Sequence, residues 1–205
     1  MSEPTRTRRL TPKGRATRDR IIDAATGLIA VRGVAGTGIE DVRAAAGVSG
    51  SQLYHYFDSR QALIRAVITR QADSAVESPR ITALDGFEAL QAWADAAVEH
   101  QRATGDQGEC SLGTLAGELA ADEESREDLA TGFLRWRDLL LNGLRVMRDR
   151  QELRADADLD ALAFALLAAL QGGVLMSRTL RTAEPLEAAM NAAMAYVRSY
   201  ATDRG

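Results

Sequence analysis

Apolar residues along the chain recur at intervals of three and four, never in the strict alternation of a half-buried strand, so every periodic stretch predicts a helix. Ile21, Ile22, Ala25, Leu28 and Ile29 mark a first helix that Gly33 ends. A short second helix runs through Ile39 and Val42 to Gly47. A short third carries Leu53 and Phe57, and a longer fourth carries Leu63 and Val67. Three capping boxes are expected at these starts, Thr37 with Glu40, Ser49 with Gln52 and Asp58 with Gln61, because a hydroxyl or carboxylate three before a Glu or Gln satisfies amides reciprocally.

Beyond Pro79 the helices lengthen. Asp85 with Glu88 opens one through Leu90 and Trp93 towards His100, and Gly105 to Gly108 form a loop. Leu112, Leu115 and Leu119 mark a shorter helix, followed by a long one through Leu129, Phe133, Trp136, Leu140, Leu144 and Met147. Asp158 caps an Ala-rich helix through Leu162, Leu166 and Leu170, and Pro185 starts the last one, through Leu186, Met190, Ala193, Val197 and Tyr200. The expected fold is all-α, with nine helices.

Composition narrows the class. With 205 residues, 46% of them hydrophobic and 26% charged, the chain can bury a substantial core. The single cysteine, Cys110, cannot form an internal disulfide, and the basic N-terminus lacks the apolar run of a secretory signal. The expected location is the cytoplasm. Ala161 to Met176 is shorter than a membrane span needs and is interrupted by Gln171, which argues for a buried helix and against a membrane partner.

Net charge is −4, yet it divides unevenly: residues 1–65 hold 11 Lys and Arg against 6 Asp and Glu, residues 66–205 hold 14 against 23. A basic N-terminal part of 1–65 and an acidic part of 66–205 point to two domains with different partners. The second and third helices flank Ala46-Gly47-Val48-Ser49, the spacing of a helix-turn-helix. At 100° per residue, Leu53 and Phe57 point one way and Ser51, Gln52 and His55 roughly the other. Those three suit base edges, since Gln pairs bidentately with adenine and Ser or His reaches several edges. Tyr54 and Tyr56 lie on the rims. Thr37 and Ser49 at helix starts, and Arg60 in the first turn of the fourth helix, are candidate phosphate contacts. Arg6, Arg8, Arg9, Lys13, Arg15, Arg18 and Arg20 read as a basic arm. The same tyrosines, histidine and charges also fit the rim of an ordinary helical core.

The stretch Thr17 to Val67, above all Gly47-Val48-Ser49-Gly50-Ser51-Gln52-Leu53-Tyr54-His55-Tyr56-Phe57 followed by Arg60 and Leu63, resembles the DNA-binding domain of TetR-type transcriptional regulators. The resemblance implies three DNA-binding helices and a six-helix C-terminal domain that binds an inducer and forms a homodimer through its last two helices. It implies double-stranded DNA contacts at Thr37, Ser49, Ser51, Gln52, Tyr54, His55 and Arg60. Gly38 stands where a second hydroxyl is common, Gln52 where threonine is, and Arg60 where lysine is. Residues 108–119, Gly108 to Leu119 around Cys110, are similar to a subgroup resembling LmrA and YxaF.

Trp93, Phe133, Trp136, Phe164, Met147 and Met176, with Gln171 and Tyr196 as polar anchors, are candidates to line a pocket for a small apolar or aromatic inducer; aromatics at helical spacing equally fill cores. Cys110 reads as a reactive thiol at a helix start or, by preference, as a packing residue in the same region. Ala161, Ala165, Ala168, Ala169, Gly172 and Gly173 on one helix and Ala188, Ala189, Ala192, Ala193 and Ala195 on the next suit close helix approach, in a dimer or within one core. No zinc spacing, dinucleotide fingerprint or Gly-x-Ser-x-Gly elbow is present, so neither metal, cofactor nor enzyme is expected. The expected function is a ligand-responsive repressor on a pseudo-palindromic operator; the alternative is a helical small-molecule-binding protein without DNA function.

Overall fold

The computed structural model describes residues 10–76, 84–104 and 112–202, and among them lie nine α-helices and no strand. The chain divides into two compact units, Met1–Val67 and Ile68–Gly205. The first holds α1 (Pro12–Arg32), α2 (Ile39–Ala46), α3 (Gly50–Tyr56) and the start of α4 (Arg60–Val76). The second holds the rest of α4, then α5 (Phe87–Thr104), α6 (Leu112–Leu119), α7 (Glu123–Asp149), α8 (Leu159–Leu180) and α9 (Glu184–Arg198).

Helix α1 begins nine residues before the expected apolar stripe. Thr11 caps it, its hydroxyl accepting from the Gly14 amide at 3.1 Å, and Pro12 supplies a first turn that needs no amide donor. Lys13, Arg15, Arg18 and Arg20 are therefore helical rather than part of a loose arm, while Arg6, Arg8 and Arg9 lie outside the described residues. Gly33 ends α1 at φ 72°, as its position predicted.

The expected boxes fare differently. Ser49 and Gln52 form theirs: Gln52 N donates to Ser49 Oγ at 3.2 Å and Ser49 N to Gln52 Oε1 at 3.0 Å. Thr37 is not a cap, because α2 starts one residue later, at Gly38, whose amide donates to Asp41 Oδ2 at 3.1 Å. Asp58 is not one either; the hydroxyl of Ser59 accepts from the Ala62 amide at 3.0 Å. Asp85 leaves the start of α5 to pair with Arg150 at 2.9 Å. At α2 and α4 a neighbouring residue, Asp41 or Ser59, serves the free amide instead.

In the second unit α8 packs along α7 and α9 around a core that includes Leu90, Leu144, Leu162 and Leu166, all fully buried. Two glycines set the spacing. A Cβ on Gly173 would fall 2.8 Å from Leu186 Cα, so α8 and α9 meet backbone to backbone, and one on Gly143 would fall 1.9 Å from the Leu84 carbonyl oxygen. Buried Ser177 accepts from the Leu186 amide at 3.1 Å and so serves the start of α9 from the neighbouring helix. Residues 200–202 are tied to the α7–α8 connection, with Arg154 N donating to Tyr200 O and Thr202 N to Glu152 O.

Gly143→Ala should destabilise the protein by about 3 kcal/mol, since a rigid carbonyl must move. Gly27→Ala, at a helical position with open space around it, should instead stabilise by roughly 0.5–1 kcal/mol. Denaturant midpoints for the two variants check the contrast.

Candidate nucleic-acid interface

The turn between α2 and α3 is built by Gly47, in the left-handed conformation at φ 62° and ψ 41°, where a side chain would be strained. Its amide donates to Ala44 O, the next amide donates to Arg43 O, and buried Val48 covers the junction, the pattern of a Schellman stop. From Ser49 the chain enters α3 with one face down. Leu53 and Phe57 are buried, at 1% and 3% exposure, and Arg18 of α1 stacks 5.3 Å from the Phe57 ring. Arg20 donates to Ala46 O at 2.9 Å, tying α1 to the last turn of α2.

What remains outward on α3 is Ser51, Gln52, Tyr54 and His55, all exposed, with Tyr56 half-buried at one rim. Ser49 Oγ and Ser51 Oγ are 3.0 Å apart, and the His55 and Tyr56 rings meet edge to face at 5.0 Å. Gln52 has two competing jobs: its carbonyl oxygen serves the cap while its amide group stays on the outward face.

Two expected phosphate contacts are placed otherwise. Thr37 is buried, at 5% exposure, and its hydroxyl donates to Gly33 O at 2.8 Å. Arg60 stays exposed as a residue but lays one edge of its guanidinium on the α1–α2 connection, donating through Nη2 to Val34 O and, at 3.3 Å, to Thr37 O. Both side chains bond to carbonyls of the α1–α2 connection, Thr37 to Gly33 O and Arg60 to Val34 O and Thr37 O, with Val34 O also accepting from Thr37 N at 3.2 Å. The roles of Arg18 and Arg20 escaped the sequence, where they looked like surplus charge. The Thr11-Pro12 start was the signal that would have put them on a helix.

The structure brings some of the expected inducer residues together and turns others away. Trp93 and Met147 are buried in the core of the second unit, with Phe133 and Trp136 packed against it. Phe164 and Met176 face out of α8, at 48% and 54% exposure, because Leu162, Leu166 and Leu170 take its inner face. Gln171 is half-buried, and Cys110 lies outside the described residues. Tyr196 is exposed and edge-packed on Tyr200, whose hydrogen bond pushes its phenol pKa up. A cleft of about 300 Å³ lies between α5 and α9 and contains none of them. Asp95, Glu99, Arg102, Glu187 and Asn191 line it over Val98 and Met190.

Comparison with known proteins agrees with this geometry. Residues 21–67 match the model of bacterial regulatory proteins of the tetR family, and residues 86–193 match that of the tetracyclin repressor-like C-terminal domain. The HTH-type transcriptional repressor DhaR of Mycobacterium sp. (strain GP1) is 26% identical over 178 residues, 83% of this chain and 86% of that protein. An HTH-type regulator of Mycobacterium tuberculosis is 47% identical over 53 residues, 26% of each chain. A TetR regulator from Chloroflexus aurantiacus J-10-FL superposes with a TM-score of 0.77 at 28% identity, over 93% of this chain and 98% of its own. One from Cytophaga hutchinsonii reaches 0.80 at 19% identity, over 96% and 100%, a likeness of fold. With family models matching both parts and one of them covering more than half of the sequence, the chain belongs to the TetR family: it is a helix-turn-helix transcriptional regulator, not an enzyme.

Proposed function

We propose that this regulator is a repressor whose homodimer binds a pseudo-palindromic operator and is released by a small apolar or aromatic inducer. DNA binding is assigned to residues 1–65, inducer binding and dimerisation to residues 66–205, and the cytoplasm is the compartment that suits this work. The observation that carries the reading is the outward face of α3, where Ser51, Gln52, Tyr54 and His55 stand exposed around a buried Leu53. Ser49, Ser51, Gln52, Tyr54 and His55 are the proposed DNA contacts; Thr37 is left out because it is buried with its hydroxyl on Gly33 O, and Arg60 because its Nη2 and Nε are engaged by the Val34 and Thr37 carbonyls.

Dimerisation is assigned to the outer faces of α8 and α9. Phe164, Ala168, Gly172, Leu175, Met176 and Leu180 are exposed on α8, Ala188, Ala192, Ala195 and Tyr196 on α9. Helix α8 is long and apolar enough to cross a membrane by composition. Its inner face belongs to the core and its outer face is what a second copy would cover. The inducer is placed beside Trp136, whose buried indole N–H has no acceptor among the described residues and suits a carbonyl or hydroxyl on an otherwise apolar ligand. The likeness of residues 108–119 to the LmrA and YxaF subgroup belongs to this reading, and no sensing role is assigned to Cys110.

An electrophoretic shift on the region upstream of its own gene tests the reading; no binding above the non-specific level at moderate salt overturns it. On single-base operator variants, His55→Ala should flatten the preference at one position by about 1–3 kcal/mol. Gln52→Glu, which keeps the capping acceptor but removes the amide donor, should redirect preference from adenine towards cytosine while leaving stability near wild type.

Leu175→Glu combined with Leu180→Glu should yield folded monomers by light scattering and lower operator affinity on the order of a hundredfold, since two half-sites are no longer held together. For induction, a bound aromatic compound should quench tryptophan emission in wild type and less in Trp136→Phe. A hundredfold release of DNA corresponds to about 2.7 kcal/mol of coupling, and Cys110→Ser should leave that release intact.

A further inference from the structure

A helix-turn-helix is a hairpin: the chain itself closes one end, at Gly47 to Ser49, while at the other end α2 begins and α3 ends with no covalent link between them. We propose that Arg60 closes this open end, acting as a positioning residue for DNA binding and not as a phosphate contact. The proposal rests on the DNA-binding reading above and deepens it.

Arg60 is the first residue of α4 and lies three beyond Phe57, the C-cap of α3. Thr37 directly precedes Gly38, the N-cap of α2. The guanidinium of Arg60 spans this gap. Its Nη2 donates to the carbonyl oxygens of Val34 and Thr37, and its Nε reaches Thr37 O at 3.4 Å. A positive charge in the first turn of a helix opposes the helix dipole; two carbonyl dipoles turned towards it offset that cost without any phosphate. The carbonyls belong to two buried residues of an otherwise exposed connection, Val34 at 4% and Thr37 at 5% exposure, and Val34 O also accepts from Thr37 N at 3.2 Å. Nη2 serves both acceptors and Nε adds a second bond to Thr37 O, so the planar group is fixed in orientation as well as in charge. A lysine ammonium keeps the charge but loses the Nε bond and the fixed plane, so a lysine there would loosen the open end of the hairpin and let α3 tilt against α2.

The test compares wild type, Arg60→Lys and Arg60→Ala, each at a temperature where circular dichroism shows it fully folded. Operator affinity is measured over a range of salt, and amide hydrogen exchange is measured on the free protein. Both variants should lose operator affinity on the order of tenfold, with the slope of log affinity against log salt unchanged from wild type. The amides of Val42 and Phe57, which close the first turn of α2 and the last of α3, should exchange faster, while that of Ile29 in α1 should not. A phosphate contact would instead reduce the slope by about 0.9 in Arg60→Ala and leave Arg60→Lys close to wild type; that result overturns the proposal. So does undiminished affinity in folded variants, which would make Arg60 a stabiliser only. Absence of any specific shift with wild type defeats the repressor reading instead, and the exchange data then decide alone: protection unchanged in Arg60→Lys overturns the clasp.

Discussion

A seven-residue helix has too few internal hydrogen bonds to outweigh the entropy of ordering its backbone, so α3 exists only because its surroundings hold it. Leu53 and Phe57 are buried on its inner side, and Ser49 and Gln52 satisfy each other's amides at its start. That seating decides everything presented to DNA. With Leu53 turned in, the geometry of 3.6 residues per turn leaves Ser51, Gln52, Tyr54 and His55 nowhere to go but outward. The surrounding arginines serve the same seat, Arg18 over the Phe57 ring, Arg20 on the end of α2 and Arg60 on the α1–α2 connection.

The cationic residues of the first unit thus divide by what their neighbours demand. An arginine beside an unsatisfied carbonyl or an aromatic face becomes part of the fold, because its fork and its flat surface fit both. The regulator's basic balance over residues 1–65 therefore overstates the charge free to meet a phosphate backbone.

In the second unit α8 serves two surfaces at once. Leu162, Leu166 and Leu170 complete the core against α7 and α9, and Phe164, Leu175, Met176 and Leu180 remain on the outside. The close approach at Gly173 lets α8 and α9 behave as a paired surface. Between α5 and α9 the lining is polar, with Arg102 bridging Glu99 at 2.6 Å and Glu187 at 2.7 Å. Such exposed pairs contribute little to stability, but they keep this cleft distinct in character from the apolar surface of α8.

The sequence by itself determined the all-helical class, the helix-turn-helix, the inward and outward faces of α3, the Ser49 and Gln52 box and the Asp158 cap, whose carboxylate accepts from Ala161 N at 3.0 Å. These are local properties: a 3.6-residue period, a glycine at positive φ and a side chain three residues from a free amide are all written within one turn of chain. Tertiary structure alone decided where Arg60 points and that Phe164 and Met176 face away from Trp93 and Met147. The residues that settle these matters are far apart in the chain. Arg60 is 26 residues from the Val34 carbonyl it binds, and the outward turn of Phe164 follows from which face of α8 its neighbours claim. Periodicity says that a helix has two faces; only packing chooses which of them is inside.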